Sequence, residues 1–213
     1  MANFKAFNIK KDLLYALNSL GYENATDIQN LVLPKALAGN SLVVKSETGS
    51  GKTHCFIIPI LNNIDENEHS LQAIIISPTR ELAEQTYSFF KDFSKFYPTI
   101  NIKLISSAEQ NTTSVEKLKT KPQIIVATCG RLKNLLDESI ISLSSCKVIV
   151  LDEADMILES GFIEDADAII SKLTNPQIMV FSATITESLQ NILSKYISSD
   201  FYTFSQNSYH NYN

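Results

Sequence analysis

The chain has 213 residues and a formal net charge of −5, and this length suits one compact domain with a hydrophobic core. The acidic balance argues against a broadly basic coat for nucleic acid, so any such contact must be local. The three cysteines form no Cys-x-x-Cys pair, which argues against a disulfide framework or a zinc site and favours a reducing cytoplasm. The longest apolar run, near residues 55–61, is far too short to span a bilayer.

Apolar runs rich in β-forming residues alternate with stretches of helical period along the chain. A leucine-rich helical segment that ends near Gly21 comes first, and a second helix follows over residues 27–38. Predicted strands occupy residues 42–44, 73–76, 102–105, 124–127, 148–151 and 178–181. Predicted helices between them occupy residues 81–96, 132–137, 163–173 and 189–196. This alternation predicts an α/β domain with a mostly parallel sheet covered by helices on both faces.

A glycine-rich segment follows the first predicted strand. It reads Ser46, Glu47, Thr48, Gly49, Ser50, Gly51, Lys52 and Thr53. Such a segment alone could be a surface turn, but a strand before it and an apolar helix after it favour phosphate binding. Its backbone N–H groups would then converge on a polyphosphate. We expect Lys52 to reach the β and γ phosphates and the Thr53 hydroxyl to ligate Mg²⁺.

An acidic segment, Asp152-Glu153-Ala154-Asp155, follows the predicted strand 148–151. Acidic clusters after strands often cap helices, but here a phosphate loop precedes the cluster in the chain. Carboxylates at the end of a neighbouring strand can hold a metal ion and orient water. We expect Asp152 to hold the ion, Glu153 to position or deprotonate the attacking water, and Asp155 to form a structural hydrogen bond. With Lys52, these groups predict hydrolysis of a nucleoside triphosphate.

In motif order across nearly its whole length, the chain resembles the N-terminal RecA-like domain of DEAD-box ATP-dependent RNA helicases. Only Ser46 departs from the family's A-x-T-G-S-G-K-T, and the acidic segment spells D-E-A-D. The resemblance implies ATP and Mg²⁺ as cofactors, a RecA-like P-loop domain over residues 1–204, and a linker or tail over residues 205–213. It also implies a second RecA-like domain, which no sequence after Thr184 supplies. We therefore expect the chain to have little activity by itself.

An adenine-reading segment within about residues 7–29 is similar to the family's G-[FY]-x-x-P-T-x-I-Q, with Ala25 in place of the proline. The resemblance implies that Gln29 reads adenine, since an amide can accept from N6–H and donate to N7. It also implies that Tyr22 stacks on the base and that Phe7 is the upstream aromatic, although core packing is an alternative for both rings. The implied nucleotide-binding residues outside the phosphate loop are Phe7, Tyr22, Thr26 and Gln29.

Two further segments, residues 78–85 and 128–131, resemble the family's RNA-contacting P-T-R-E-L-A-x-Q and T-P-G-R motifs, with Cys129 in place of the second proline. Lysine outnumbers arginine 16 to 2, a bias that we ascribe to an AT-rich genome. The two arginines that remain should therefore mark sites that need a planar fork, and both lie in these segments. The alternative for Arg80 is an intradomain salt bridge, and the Thr79 hydroxyl is expected to face an RNA phosphate. The implied RNA-binding residues are Pro78, Thr79, Arg80, Thr128, Gly130 and Arg131.

Ser182-Ala183-Thr184 is similar to the family's S-A-T, whose hydroxyls bond the acidic motif and couple hydrolysis to strand separation. Ser106-Ser107 stand where the family has Gly-Gly, so side chains there would crowd the RNA or donate to it. The resemblance as a whole implies a monomer that couples ATP hydrolysis to local RNA duplex unwinding through backbone contacts, with little sequence specificity. The alternatives are a nucleotide-binding scaffold without turnover and a DNA-directed P-loop ATPase.

Overall fold

The computed structural model of the protein describes residues 2–47, 49–197 and 202–205. Thr48 of the phosphate loop and residues 206–213 of the predicted tail lie outside the described residues. Within the described part, the strands are β1 (Leu42–Lys45), β2 (Ala73–Ser77), β3 (Ile102–Ile105), β4 (Ile124–Thr128), β5 (Val148–Leu151), β6 (Gln177–Ser182) and β7 (Tyr202–Ser205). They form one sheet in the order β3-β4-β2-β5-β6-β1-β7, and every pair is parallel.

Helices connect the strands and cover the sheet. In chain order they are a 3₁₀ turn (Phe4–Ala6), α1 (Lys11–Ser19), α2 (Asp27–Leu37), α3 (Lys52–Asn63), α4 (Arg80–Ser94), α5 (Asn111–Lys119), α6 (Cys129–Asp137), α7 (Ala154–Glu159), α8 (Ile163–Ser171) and α9 (Glu187–Leu193). Among the described residues, no helix is both long and apolar enough to cross a membrane.

The core consists of two apolar layers, one on each face of the sheet. Alternate strand residues enter different layers, as Ile75 does on the side of α1 to α4 and Ile74 on the side of α6 to α9. Both side chains are fully buried, which explains why β2 is apolar at every position rather than at every second one. The structure confirms the predicted fold class, an α/β domain with helices on both faces.

The sheet brings the motif segments to one edge, because the carboxyl ends of parallel strands all point the same way. The phosphate loop follows β1, the acidic segment follows β5, and the Ser-Ala-Thr segment follows β6. The two predicted RNA segments follow β2 and β4, which end side by side with Ser77 opposite Thr128. The strand order therefore places the predicted phosphate loop on one side of this edge and the two predicted RNA segments on the other, which we call the RNA side, with the acidic segment between them.

Strand β7 was not predicted from the sequence. It pairs with β1 in register, with Leu42 opposite Tyr202 and Lys45 opposite Ser205. Ser205, the first residue of the predicted tail, thus belongs to the sheet in this structure. Only four residues form this strand, too few for a periodic pattern to stand out from the polar residues that follow.

Candidate active site and nucleic-acid interface

The glycine-rich segment folds into a tight loop at the start of α3. Gly49 and Gly51 have φ angles of 87° and 89°, in the left-handed region that glycine adopts without strain. The Ser50 hydroxyl donates to the carbonyl oxygen of Glu47 at 2.8 Å, which closes the loop on itself. The N-cap residue of α3 is Gly51, for which the described residues show no side-chain cap, and the unpaired N–H groups at such a helix start can bind an anion.

Lys52 is buried beneath this loop and is held by the acidic segment. Its ammonium group forms an ion pair with Glu153 and lies 4.0 Å from the Asp152 carboxylate. The lysine side chain is 6% exposed, so its charge requires a partner at this depth. In this arrangement the lysine that we expect to contact phosphate is paired with these two carboxylates.

Asp152 is buried at the end of β5 and has an unsatisfied oxygen. Its burial raises the pKa of the carboxyl to about 6, an effect that Lys52 opposes and Glu153 reinforces. Its Oδ1 atom has no hydrogen-bond partner among the described residues. A carboxylate oxygen without a hydrogen bond at this depth is unfavourable unless a ligand satisfies it.

Glu153 has an unusual backbone conformation. Its φ and ψ are both 52°, in the left-handed region, and it begins α7. Such a conformation costs a non-glycine residue roughly 1–2 kcal/mol and persists only where the surrounding structure fixes it. Here the sharp turn after β5 directs the Glu153 side chain to Lys52, with which it forms an ion pair.

A magnesium ion fits the residues at this site. The Thr53 hydroxyl and the Asp152 carboxylate are hard oxygen donors, and the Oδ1 atom of Asp152 forms no hydrogen bond among the described residues. Among the described residues, no group of three or more His, Cys, Asp or Glu side chains could hold a metal by itself. Few protein ligands, with phosphate and water supplying the others, are typical of Mg²⁺ rather than of zinc or calcium.

These groups surround a cavity of about 220 Å³, which we call the phosphate cavity. The side chains of α3, α4 and the acidic segment form its walls. The residues that line it are Gly49, Gly51, Lys52, Thr53, His54, Leu82, Gln85, Thr86, Phe89, Asp152 and Glu153.

Gln29 connects the predicted adenine-reading segment to the phosphate loop. Its Oε1 atom accepts from the backbone N–H of Thr26 at 2.9 Å, and its Nε2 atom donates to the carbonyl oxygen of Gly51 at 2.9 Å. The Thr26 hydroxyl in turn accepts from the backbone N–H of Gln29, which makes Thr26 the N-cap of α2. Each amide atom of Gln29 has capacity for one more hydrogen bond, so the contacts to adenine remain chemically feasible.

The two aromatic residues of this segment, Tyr22 and Phe7, both pack against the apolar layer on the side of α1 to α4. The Tyr22 ring lies 4.5 Å from the His54 ring, and His54 in turn lines the phosphate cavity. Phe7 lies 6.3 Å from Phe4 and packs against the apolar layer, as in the core-packing alternative. Base stacking by Tyr22 and Phe7 stays a prediction.

His54 lines the phosphate cavity but was not among the site residues predicted from the sequence. It is 6% exposed, and burial lowers its pKa to about 4 against the opposing effect of Asp92, so the ring is neutral at pH 7. The signal available in the sequence was a lone histidine directly after Thr53, at the start of the apolar run at residues 55–61.

The Ser-Ala-Thr segment is bonded to the acidic segment. The Ser182 hydroxyl accepts from the Asp155 N–H at 3.1 Å, and the Thr184 hydroxyl donates to the Asp155 carboxylate at 3.2 Å. The Ser46 N–H donates to the Ser182 carbonyl oxygen at 3.0 Å, which joins the phosphate loop to the same cluster. The buried Ser46 hydroxyl has no hydrogen-bond partner among the described residues.

The two predicted RNA segments line a second cavity, of about 260 Å³, which we call the RNA cavity. Ser107, from the segment that replaces Gly-Gly, also lies in its wall, together with Cys129, Asn134 and Phe162. The predicted RNA-binding residues that the structure brings together there are Pro78, Thr79, Arg80, Thr128, Gly130 and Arg131.

The hydroxyl of Thr79, which is predicted to face an RNA phosphate, also caps a helix. It accepts from the Leu82 N–H at 3.2 Å and caps α4, because the first turn of a helix has unpaired donors. Its proton remains available for a ligand. Gly130 is needed for packing, since a Cβ atom there would lie 2.9 Å from the Phe162 ring.

The two arginines have different environments. Arg80 is half exposed and pairs with Glu84 at 3.1 Å, which is the salt bridge considered as the alternative. Exposed pairs of this spacing contribute only about 0.3–0.5 kcal/mol, so the pair can open for a stronger ligand. Arg131 is 8% exposed and donates to the Ser114 hydroxyl at 2.9 Å.

A parallel sheet with this phosphate loop and acidic segment defines a RecA-like P-loop domain. The chain belongs to the DEAD/DEAH box helicase family, whose model matches residues 26–192. It is 39% identical to the DEAD-box ATP-dependent RNA helicase CshB of Listeria monocytogenes over 92% of this chain and 46% of that protein. It is 36% identical to the ATP-dependent RNA helicase DeaD of Escherichia coli K12, over 91% of this chain and 31% of DeaD.

Solved structures show the same fold. A DEAD box protein from the hyperthermophile Methanococcus jannaschii superposes with a TM-score of 0.89 at 33% identity, covering 95% of this chain and 55% of that one. A hypothetical ATP-dependent RNA helicase from Sulfolobus tokodaii gives 0.83 at 31% identity, covering 92% and 57%. The chain therefore spans less than half the length of these curated relatives and somewhat more than half of the solved chains.

Proposed function

We propose that this chain is the ATP-binding domain of an ATP-dependent RNA helicase, which couples ATP binding and hydrolysis to local unwinding of an RNA duplex. The arrangement of Lys52, Asp152 and Glu153 around the phosphate cavity carries the proposal. A scaffold that had lost turnover would have no need to keep a buried lysine between two carboxylates, since buried charges are costly.

In the proposed reaction, the phosphates of ATP replace the carboxylates as partners of Lys52. The lysine then neutralises the β and γ phosphates, while the loop N–H groups at Ser50 and Gly51 orient them. Release from Lys52 leaves Glu153 free to position the attacking water and accept its proton. When bound by Thr53 and Asp152, Mg²⁺ would supply charge neutralisation at the phosphate oxygens.

The remaining residues have positioning roles in this proposal. Gln29 and Tyr22 select and stack adenine, with Thr26 holding the Gln29 amide and Phe7 closing the segment. Asp155, Ser182 and Thr184 transmit the state of the phosphate cavity to the RNA side, since their hydrogen bonds join β5 and β6 at that edge. Phosphate contacts dominate the RNA cavity, so little sequence specificity is expected.

We further propose that turnover requires a second RecA-like domain, that the chain is a monomer, and that it acts in the cytoplasm. Neither Arg80 nor Arg131 lines the phosphate cavity, which supports the need for a second domain. The three cysteines are free and buried, which suits a reducing compartment.

The test is a binding comparison that separates the three candidate functions. ADP and GDP are titrated by calorimetry with Mg²⁺, and labelled single-stranded RNA and DNA of one sequence are titrated by fluorescence anisotropy with a non-hydrolysable ATP analogue. The proposal expects binding of ADP over GDP and of RNA over DNA. Preference for DNA would favour a DNA-directed ATPase. Hydrolysis by a longer chain that contains the second domain, absent in its Glu153→Gln variant, would exclude the scaffold function.

A further inference from the structure

Arg131 in the RNA cavity is held by a neutral hydroxyl and not by a carboxylate. It donates to Ser114 Oγ at 2.9 Å, and within the described residues it forms no ion pair. Its Nε atom is buried and has no hydrogen-bond partner in the same part of the chain. A guanidinium that donates only to a neutral oxygen keeps its full charge for a phosphate ligand.

The direction of the Ser114 hydroxyl is fixed by Glu109. Ser114 lies on α5 and is fully buried, so water does not compete for it. Its hydroxyl donates to Glu109 Oε2. Because a hydroxyl has a single proton, the oxygen can then only accept from Arg131.

The Glu109 carboxylate does not neutralise Arg131, because it forms an ion pair with Lys117. The Lys117 ammonium lies 2.6 Å from Glu109 Oε1 and also donates to the carbonyl oxygen of Leu104 at the end of β3. The carboxylate thus has its own cation and touches the arginine only through Ser114. The loop that carries Glu109 also carries Ser107, which lines the RNA cavity.

A second unsatisfied group lies in the same cavity wall. The Thr128 hydroxyl is buried and has no hydrogen-bond partner among the described residues, and Thr128 is three positions before Arg131. Thr128 and Arg131 both line the RNA cavity, so two buried polar groups that lack a hydrogen-bond partner lie beside it, which favours a ligand that both can bond. A phosphate oxygen can accept from each of them.

We propose that Ser114, oriented by Glu109, is a positioning residue that holds Arg131 for contact with an RNA phosphate. This inference rests on the RNA-binding function proposed above. It extends the RNA site to α5, a helix outside the segments that the sequence indicated.

The experiment is a double-mutant cycle on RNA affinity, measured by anisotropy of a labelled single-stranded RNA with the 213-residue chain at several salt concentrations. Arg131→Ala should weaken binding roughly 10- to 150-fold, as expected for a hydrogen bond to a charged group, and flatten the salt slope by about 0.7. Ser114→Ala should weaken it roughly 2- to 12-fold. In the Arg131→Ala background, Ser114→Ala should have no further effect, because the arginine that it positions is absent.

The controls separate positioning from general stability. Ser145→Ala removes a serine hydroxyl that donates to the backbone carbonyl oxygen of Leu71, at the opposite edge of the sheet, and should leave RNA affinity unchanged. ADP affinity should be unchanged in Ser114→Ala. If Ser114→Ala does not fold, Glu109→Gln is the alternative variant. It breaks the ion pair between Glu109 and Lys117, and its effect on RNA affinity should depend on Arg131 in the same way.

The possible results are distinguishable. A Ser114→Ala effect that persists in the Arg131→Ala background would overturn the inference, because the serine would then act through the stability of α5. A loss with Arg131→Ala but none with Ser114→Ala would also overturn it, while the proposed RNA function would stand. RNA affinity unchanged by Arg131→Ala would overturn the RNA site itself, and the inference with it.

Discussion

The side-chain amide of Gln29 donates a hydrogen bond to the backbone carbonyl oxygen of Gly51 at 2.9 Å. This bond joins the segment proposed to read the base to the loop proposed to hold the phosphates. Because Gln29 is 4% exposed and also completes the capping box with Thr26, its position is determined before any ligand binds. Base recognition and phosphate recognition are thereby attached to one rigid element.

Gln29→Ala should remove most of the preference for ADP over GDP. Leaving a buried hydrogen-bonding group without its partner costs about 1–3 kcal/mol, which corresponds to roughly 5- to 150-fold in selectivity. The ratio of the two dissociation constants, measured by calorimetry, is the informative quantity, because loosening of Gly51 would weaken the binding of both nucleotides. Gln177→Ala is the matched control, since that amide also bonds backbone carbonyls but lies at the other edge of the sheet. Equal affinity of the unaltered chain for ADP and GDP would contradict adenine reading.

Gly51→Ala should abolish ADP binding. A Cβ atom at Gly51 would lie 2.8 Å from both Gln29 Nε2 and Thr26 Oγ1, so the base segment and the loop could not keep their contact. Gly39→Ala is the control for the backbone alone, since Gly39 has nearly the same φ of 87° but nothing within 4 Å of its Cβ position. That variant should lose about 1–2 kcal/mol of stability and bind ADP normally. Normal ADP binding by a folded Gly51→Ala chain would show that the contact is dispensable.

Glu153→Gln should tighten ADP binding about 3- to 10-fold, because Lys52 would no longer be held by a charged competitor. Lys52→Ala should abolish measurable binding, since it removes the partner of the β phosphate. Calorimetry with Mg²⁺ measures both. Weaker ADP binding by Glu153→Gln would mean that the ion pair does not compete with nucleotide.

Asp152→Asn should weaken the dependence of ADP binding on Mg²⁺. The amide keeps the size of the side chain but removes its charge, and Oδ1 is the carboxylate oxygen that forms no hydrogen bond among the described residues. Titrations with Mg²⁺ and with EDTA should therefore differ less in the variant than in the unaltered chain. An unchanged Mg²⁺ dependence would remove Asp152 from the metal site.

The sequence predicted six of the strands because most of them are short, continuous apolar runs buried on both faces, and β3, at the edge of the sheet, is interrupted by Lys103 alone. It also predicted which strand ends hold the motifs, since those residues are adjacent in the chain. The order of the strands could not be predicted this way, because it depends on packing between distant segments. Helix α5 was missed as well, since its nine residues are mostly polar and only Ser114 among them is fully buried.

The partners of the motif residues were also beyond the sequence. The Gln29–Gly51 and Arg131–Ser114 bonds join residues 22 and 17 positions apart, and no local pattern specifies either pair. The burial of His54 against Tyr22 could not be predicted either, because a histidine in an apolar helix is equally compatible with a surface position. These contacts arise from the way in which α2, α3 and α5 pack on the sheet.

These 213 residues alone should hydrolyse ATP very slowly and gain little from RNA. An arginine that stabilises the charge of a phosphoryl transition state contributes roughly 10³- to 10⁵-fold in rate. The chain has two arginines, and each is engaged on the RNA side: Arg80 pairs with Glu84, and Arg131 is buried against Ser114. Neither lines the phosphate cavity.

The measurement is phosphate release with and without excess RNA, with Glu153→Gln as the baseline for contaminating activity. Joining a second RecA-like domain should restore RNA-stimulated release. Robust RNA-stimulated release by the 213-residue chain, lost in Glu153→Gln, would show that it needs no arginine from another domain.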